Sequence, residues 1–379
     1  MILDHNRMIV EVQVQRKDGT WRKALLWVDT GNPDFMLSEQ LARDLGLAPP
    51  AEDGKPSDAA PSDVDVVEAP AVRFGGKDLR VDSVRTTVIF RRPWLFNTMH
   101  VDANLPSTVL MHYQVVFDYP QRMVTIGDPG SVEHRGLRAP AVVNPRTGIV
   151  QLDALVGRDS LSLALDNGAS YSFVSAAVFD RLVEDHPEWP CSVGAVGCAN
   201  IWGWWPGEPD YPITRLPEIT WGSIPLAQVG LVGLPDIFRG GASLSAFYSQ
   251  KAARAVDGFL GPNAFKAFCV EIDYPEGAVY FEKGPEVDPH DLDLVGLTLR
   301  PEADGGYSVI GVIQRGGRPA VEGVETGDTL LRIGDLTVAG ATMGTVIDAL
   351  RGRPGEVRML VLGRQGKEIR VEAAVHRFL

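Results

Sequence analysis

Two stretches of this chain repeat one uncommon arrangement, and everything else must be folded around it. Residues 24–38 read ALLWVDTGNPDFMLS and residues 161–175 read LSLALDNGASYSFVS. In each, an apolar strand runs straight into an acid, Asp29-Thr30-Gly31 or Asp166-Asn167-Gly168, and a short helix pattern follows. A carboxylate at the end of a buried strand is unfavourable unless it has a partner or a use. The two stretches align without a gap, 137 positions apart: Gly31 falls on Gly168, Leu37 on Val174, Ser38 on Ser175 and Leu45 on Leu182.

A second pair of windows repeats in the same order. Residues 102–120, DANLPSTVLMHYQVVFDYP, match residues 257–275, DGFLGPNAFKAFCVEIDYP, again without a gap. Asp102 falls on Asp257, Leu105 on Leu260, Val115 on Val270, and Asp118-Tyr119-Pro120 on Asp273-Tyr274-Pro275. Two separate blocks in one order are an internal duplication. It divides the chain into a first lobe over 1–135, a second over 136–285, and a C-terminal unit over 291–379 beyond Gly284-Pro285 and Pro289.

The local patterns are those of a mainly β protein. Residues 8–15 alternate apolar and polar, Lys17–Thr20 is a hairpin turn, and 24–28 return as the strand that delivers Asp29. Ser38 is placed to cap a helix through Leu45, closed by Gly46. Residues 49–68 read as a loop, and strands are expected at 71–74, 79–84 and 86–90 around a Gly75-Gly76 turn. The second copy carries a Trp-rich insertion at 200–214. In the C-terminal unit LVGLTLR, YSVIGVI, VRMLVLG and EIRVEA read as strands and TVIDALRG as a helix.

Charge and composition narrow the function classes. A formal net charge of -13 argues against nucleic acid and against an anionic membrane surface as partners. No apolar run reaches the roughly 18–20 residues of a membrane span. The N-terminus has neither a basic n-region nor an apolar h-region, so it does not read as a signal peptide. The expectation is a soluble protein, cytoplasmic unless a leader was removed and extracytoplasmic or periplasmic if one was. Cys191, Cys198 and Cys269 fit no metal motif, and Cys191 and Cys198 either bridge a loop or stay as thiols. No metal or cofactor is expected. Gly-x-Ser-x-Gly and His-Glu-x-x-His are both missing, which disfavours serine and metal hydrolases.

The two acids have a chemistry if they meet. Like charges a few ångströms apart raise one pKa, so the pair shares one proton. The ionised member can take a proton from water while the protonated one hydrogen-bonds a carbonyl. Gly31 and Gly168 would let backbone approach the acids closely. The Thr30 hydroxyl would bond across the pseudo-two-fold axis, and Ser170 would hydrogen-bond Asp166. Asp118 and Asp273 read as turn residues without a catalytic part.

On these residues residues 1–284 resemble the aspartic peptidases of the pepsin and retropepsin class, with Asp29-Thr30-Gly31 and Asp166-Asn167-Gly168-Ala169-Ser170 as the two acid loops. Phe259-Leu260-Gly261 resembles the segment that in this family packs beneath a catalytic loop. The resemblance implies two acid-protease β-barrel-like lobes, Asp29 and Asp166 as catalytic residues, Thr30, Gly31, Asn167, Gly168 and Ser170 in support, and a peptide or protein substrate. It places flaps at about 51–75 and 192–215, the second carrying Trp202, Trp204 and Trp205 as candidate substrate contacts. Three positions depart from the pattern: Asn167 where the family has Thr or Ser, Asn32-Pro33 opposite Ala169-Ser170, and Asn104-Leu105-Pro106 opposite Phe259-Leu260-Gly261. They keep a second reading open, an inactive pseudo-peptidase that binds peptides. Residues 291–379 resemble a PDZ domain of the kind attached to bacterial proteases, on the run Ala320 to Ile333 with its Gly327-Asp328. That resemblance implies a groove for an added peptide strand. By order along the chain the groove is expected at Gly306, Tyr307, Ser308 and Val309, with the helix near Thr345–Leu350 as its other wall.

Overall fold

The computed structural model describes residues 1–47, 65–90, 101–194, 207–236, 243–248, 250–285, 290–302 and 304–379. The protein is mainly β, with short helices at the strand ends. Strand Arg7–Gln15 alternates buried and exposed residues beyond its first turn, as the sequence pattern requires of a sheet with one covered face. Ser38 caps the helix Glu39–Asp44, its Oγ accepting from Leu41 N at 3.1 Å. Gly75 and Gly76 turn the hairpin Val72–Phe74 and Lys77–Leu79, but the strand expected over 79–84 ends at Leu79. The chain there bends through Val81–Val84 and rejoins the sheet at Thr87–Phe90.

The two copies build matching sheets. In the first, the acid strand Trp21–Asp29 lies parallel to Ala103–Pro106, with Asp29 beside Pro106. In the second, Asp159–Leu165 lies parallel to Gly258–Leu260, with Leu165 beside Leu260. The strand after each acid loop repeats too: Phe35–Ser38 is parallel to Thr87–Phe90, and Ser172–Ser175 to Ile224–Leu234. Aligned acids tie each pattern together. Asp102 Oδ2 accepts from Leu25 N at 2.9 Å and Asp257 Oδ2 from Ser162 N at 2.8 Å. Their carbonyls accept from Ser38 N and Ser175 N, the aligned serines.

A five-stranded sheet joins the halves. Its centre is the antiparallel pair Gln114–Asp118 and Phe268–Asp273, drawn from the two matching windows. Val116 pairs with Glu271, its own counterpart in the duplication, so the pseudo-two-fold axis passes between them. One apolar core runs from the first half through this sheet into the second.

The C-terminal unit is a six-stranded sheet with the helix Met343–Leu350. Its core is continuous with that of the second half: Phe173, Phe259, Leu294, Val309, Leu330 and Val346 belong to one cluster. A buried ion pair, Arg215 to Asp291 at 2.9 Å, fastens the same junction, and the Tyr171 hydroxyl donates to Asp291 at 2.6 Å. Asp328 of the Gly-Asp run is buried and held by both prongs of the Arg364 guanidinium, at 2.6 and 2.7 Å.

Candidate active site

Each acid sits over the glycine of the opposite loop. A methyl group built on Gly31 would lie 2.4 Å from Cγ of Asp166, and one built on Gly168 would lie 2.5 Å from Oδ1 of Asp29. Any side chain at either position would push a carboxylate out, so both must be glycine. The same point above Gly168 lies 3.1 Å from Oδ1 of Asp166. The two oxygens are therefore under two hydrogen-bond lengths apart, roughly 6 Å at most. The duplication thus brings Asp29 and Asp166 to one place, where they are 1% and 4% exposed.

Thr30 grips the second loop as the sequence suggests. Its Oγ1 accepts from Asn167 N at 2.9 Å, and its proton is shared between the Leu165 carbonyl and Asn167 Oδ1, both at 3.0 Å. Asn167 does not return the same grip. Its Nδ2 donates instead to the Tyr119 hydroxyl at 2.7 Å, in the turn at the end of the joining sheet. The aligned Tyr274 hydroxyl is buried with no hydrogen-bond partner among the described residues, because Thr30 has no amide to reach it.

The expected bond from Ser170 to Asp166 is not formed. Ser170 Oγ is buried and has no hydrogen-bond partner among the described residues, because the loop turns so that Gly168 N and Ala169 N reach Asp166 Oδ1 first, at 2.8 and 3.2 Å. Asp29 is held by a side chain that sequence reasoning counted only as a departure. Asn104 Nδ2 donates to Asp29 Oδ2 at 3.0 Å, and Asn104 Oδ1 accepts from Met36 N. The signal was present as a polar residue beside an acid strand, at the position of Phe259 in the other copy.

Burial raises both acids above the usual carboxylate range. Asp29 is raised well above it, by burial first and then by the charge of Asp166. Asp166 is raised by burial to about 6, held back by its two backbone donors and by the Arg7 guanidinium. Two such carboxyls side by side share one proton.

One neighbour of the pair was missed. Tyr248, on the helix Leu244–Tyr248, packs edge-on to Phe259 at 4.6 Å, and Phe259 stacks on Phe173 at 5.1 Å. Burial and the charges of Asp166, Asp29 and Asp34 raise its phenol. Beyond it, Lys251 Nζ meets Asp34 Oδ2 of the first half at 2.7 Å. No motif marks this helix, so only the fold reveals it. Trp202, Trp204 and Trp205, Cys198 and most of the first flap candidate lie outside the described residues.

The groove expected at Gly306, Tyr307, Ser308 and Val309 is corrected. Tyr307 and Ser308 pair on one side with Pro301 and Arg300 and on the other with Leu330 and Thr329, and Val309 exchanges backbone bonds with Gly327 and Asp328, so the expected stretch offers no free edge. Gly305-Gly306 is simply the turn between two paired strands, and the outer strand is Leu297–Pro301. Order along the chain could not separate an edge strand from its neighbour.

Among the described residues His134, Asp273 and Glu276 bring ligand atoms within 4.8 Å of one another on the joining sheet. Their neighbours already engage them: His134 Nδ1 meets Glu271 at 2.8 Å and Gln114 donates to Asp273 at 2.9 Å. No model of a known protein family matches the chain, and no curated protein matches it.

Proposed function

We propose that the chain is an aspartic endopeptidase of the pepsin and retropepsin type, built from two lobes on one chain, with a PDZ-like C-terminal domain. The observation that carries this reading is the reciprocal seating of the acids, each over the other loop's glycine. Water activated between the carboxylates attacks the peptide carbonyl. Asp166, ionised, takes the water's proton, and Asp29, protonated, hydrogen-bonds the carbonyl oxygen as charge develops on it. The proton on Asp29 then passes to the leaving nitrogen, with no covalent intermediate.

The test is a digest of a peptide library by wild type and Asp166→Asn side by side. Cleavage is expected from wild type alone and is blocked by a statine-type transition-state mimic. Equal cleavage by the variant sinks the mechanism. Library peptides that bind but stay uncut by wild type favour the second reading, a pseudo-peptidase, to which the near-complete burial of both acids lends weight.

A further inference from the structure

The N-terminal hairpin touches both the C-terminal unit and the second acid loop. Strands Ile2–Asp4 and Arg7–Gln15 pair around His5 and Asn6, both left-handed, with φ of 47° and 67°. The turn is buried although it is polar: Asp4, His5 and Arg7 are 4%, 6% and 2% exposed. Asp4 Oδ1 accepts from Gly344 N at 3.0 Å and from the Thr342 hydroxyl, at the start of the helix Met343–Leu350. A methyl group on Gly344 would lie 2.3 Å from that oxygen and 2.6 Å from His5 N, so the helix admits the hairpin only because it has glycine there.

The other side of the same turn holds the acid loop. Asn6 Nδ2 donates to the Ser170 carbonyl at 3.0 Å, and Arg7 Nε donates to the Gly168 carbonyl at 2.6 Å. Thr30 grips Asn167 from the first half; Asn6 and Arg7 brace the next three residues from beneath. The charges that face Arg7 are Asp4, Asp166, Asp29 and Glu208, so one guanidinium links the helix anchor to the acid pair.

We infer that the C-terminal unit governs the acid pair through this hairpin: the helix Met343–Leu350 fixes Asp4, and Asn6 and Arg7 thereby fix the loop that carries Asp166. Asn6 and Arg7 are positioning residues, acting through the loop backbone. Regulation of the site by the C-terminal unit rests on the reading of Asp29 and Asp166 as a catalytic pair. The structural coupling does not. Whatever shifts that helix changes turnover without entering the cleft.

The experiment follows hydrogen exchange and cleavage in the full chain for Gly344→Ala, Asp4→Leu and the control Asp348→Ala, whose side chain is 71% exposed on the same helix. Alanine favours a helix interior over glycine, so Gly344→Ala loosens nothing unless the hairpin is pressed there. Exchange over residues 166–171 is expected to quicken at least fivefold in the first two variants and to stay unchanged in the control. With cleavage as the readout, kcat falls about tenfold in both while KM holds. In Arg7→Gln, which removes a charge that lowers Asp166, the acid limb of the kcat profile moves to higher pH, and Arg7→Lys restores it. Unchanged exchange over 166–171 in both variants overturns the inference. So does a rise spread evenly over all the sheets, which would report lost stability rather than a path. If wild type cuts nothing, the peptidase reading falls, and the exchange pattern still decides the coupling.

Discussion

The two halves hold equivalent acids by unlike means. Asp166 is held by backbone, through the amides of Gly168 and Ala169, with Arg7 as a nearby positive charge. Asp29 takes the side-chain amide of Asn104 together with hydrogen bonds from Trp27 and the Gly31 backbone, and faces the charge of its partner. Donors favour the ionised form on both sides, but only Asp166 has a cation beside it, while the charge of Asp166 works against ionising Asp29. On the proposed reading the Arg7 charge leaves Asp166 to ionise and the shared proton on Asp29, a bias that a strictly symmetric pair would lack.

Replacing either acid breaks this comparison most severely. Asp29→Asn and Asp166→Asn are each expected to cut turnover by at least about 10³-fold, the range of a lost general acid or base. Their stabilities should part. The folded protein keeps a proton on Asp29 that the unfolded chain releases above about pH 4. The stability Asp29 contributes is thus complete below that pH and is lost as pH rises through its raised folded value. Asp29→Asn should therefore melt higher than wild type at pH 8, the gap closing toward pH 4. Asp166→Asn should gain less, because it removes a countercharge of Arg7. Thermal melts at the two pH values check this, and identical behaviour would mean that the halves share the proton evenly.

The matched tyrosines sharpen the comparison at the next level. Tyr119 receives the Asn167 amide, and Tyr274 receives nothing. Tyr119→Phe leaves a buried amide unsatisfied and should cost about 1–3 kcal/mol. Tyr274→Phe removes an orphan hydroxyl and should be neutral or slightly stabilising. Denaturant unfolding of the pair reads the difference, and equal losses would show that both hydroxyls are equally engaged.

Asn104→Leu makes the first half resemble the second, where Phe259 stands. It removes a bond that lowers Asp29. The proton on Asp29 is then held more tightly, so the basic limb of the activity profile moves to higher pH. A fall in kcat/KM of about tenfold is expected, equivalent to one lost hydrogen bond of roughly 1.4 kcal/mol. An acid limb that moves to higher pH while the basic limb stays would assign the shared proton to Asp166.

How much of this was legible in the sequence follows from what each residue needs. Asp29, Thr30, Gly31 and their counterparts were legible because their demands are local and appear twice. The joining sheet was foreshadowed by the matching windows, since a duplication around an axis pairs like with like, as Val116 does with Glu271. Asn104 left a trace only as a polar residue opposite Phe259, and Tyr248 left none, because their parts depend on which strands and helices end up beside the acids. Ser170 was misread because a serine near an acid in sequence says nothing of which way the loop turns. The outer strand Leu297–Pro301 was misplaced for a similar reason: strand patterns alternate alike at an edge and inside a sheet. Nothing in Asp4–Arg7 marked a junction, because polar residues near a terminus ordinarily face water.

The smallest effect tests the rim where the halves meet. Lys251 of the second half and Asp34 of the first are 27% and 30% exposed at 2.7 Å, so water still screens their attraction. Such pairs contribute at most about 1 kcal/mol. Lys251→Gln should therefore barely move the unfolding midpoint. Its effect should lie in access instead, because Lys251 Nζ also sits 5.3 Å over the Phe247 ring and helps hold the helix Leu244–Tyr248 against the first half. The contact ties the two halves together at the rim, so releasing it should ease access to acids that are so nearly buried. The variant should lower KM about twofold to threefold at low salt with kcat unchanged. The gain should vanish near 1 M salt, where the screening length shrinks to about 3 Å and wild type opens as readily. A KM that rises instead would make Lys251 part of the substrate's own binding surface, and the asymmetry of the rim would then belong to recognition rather than to closure.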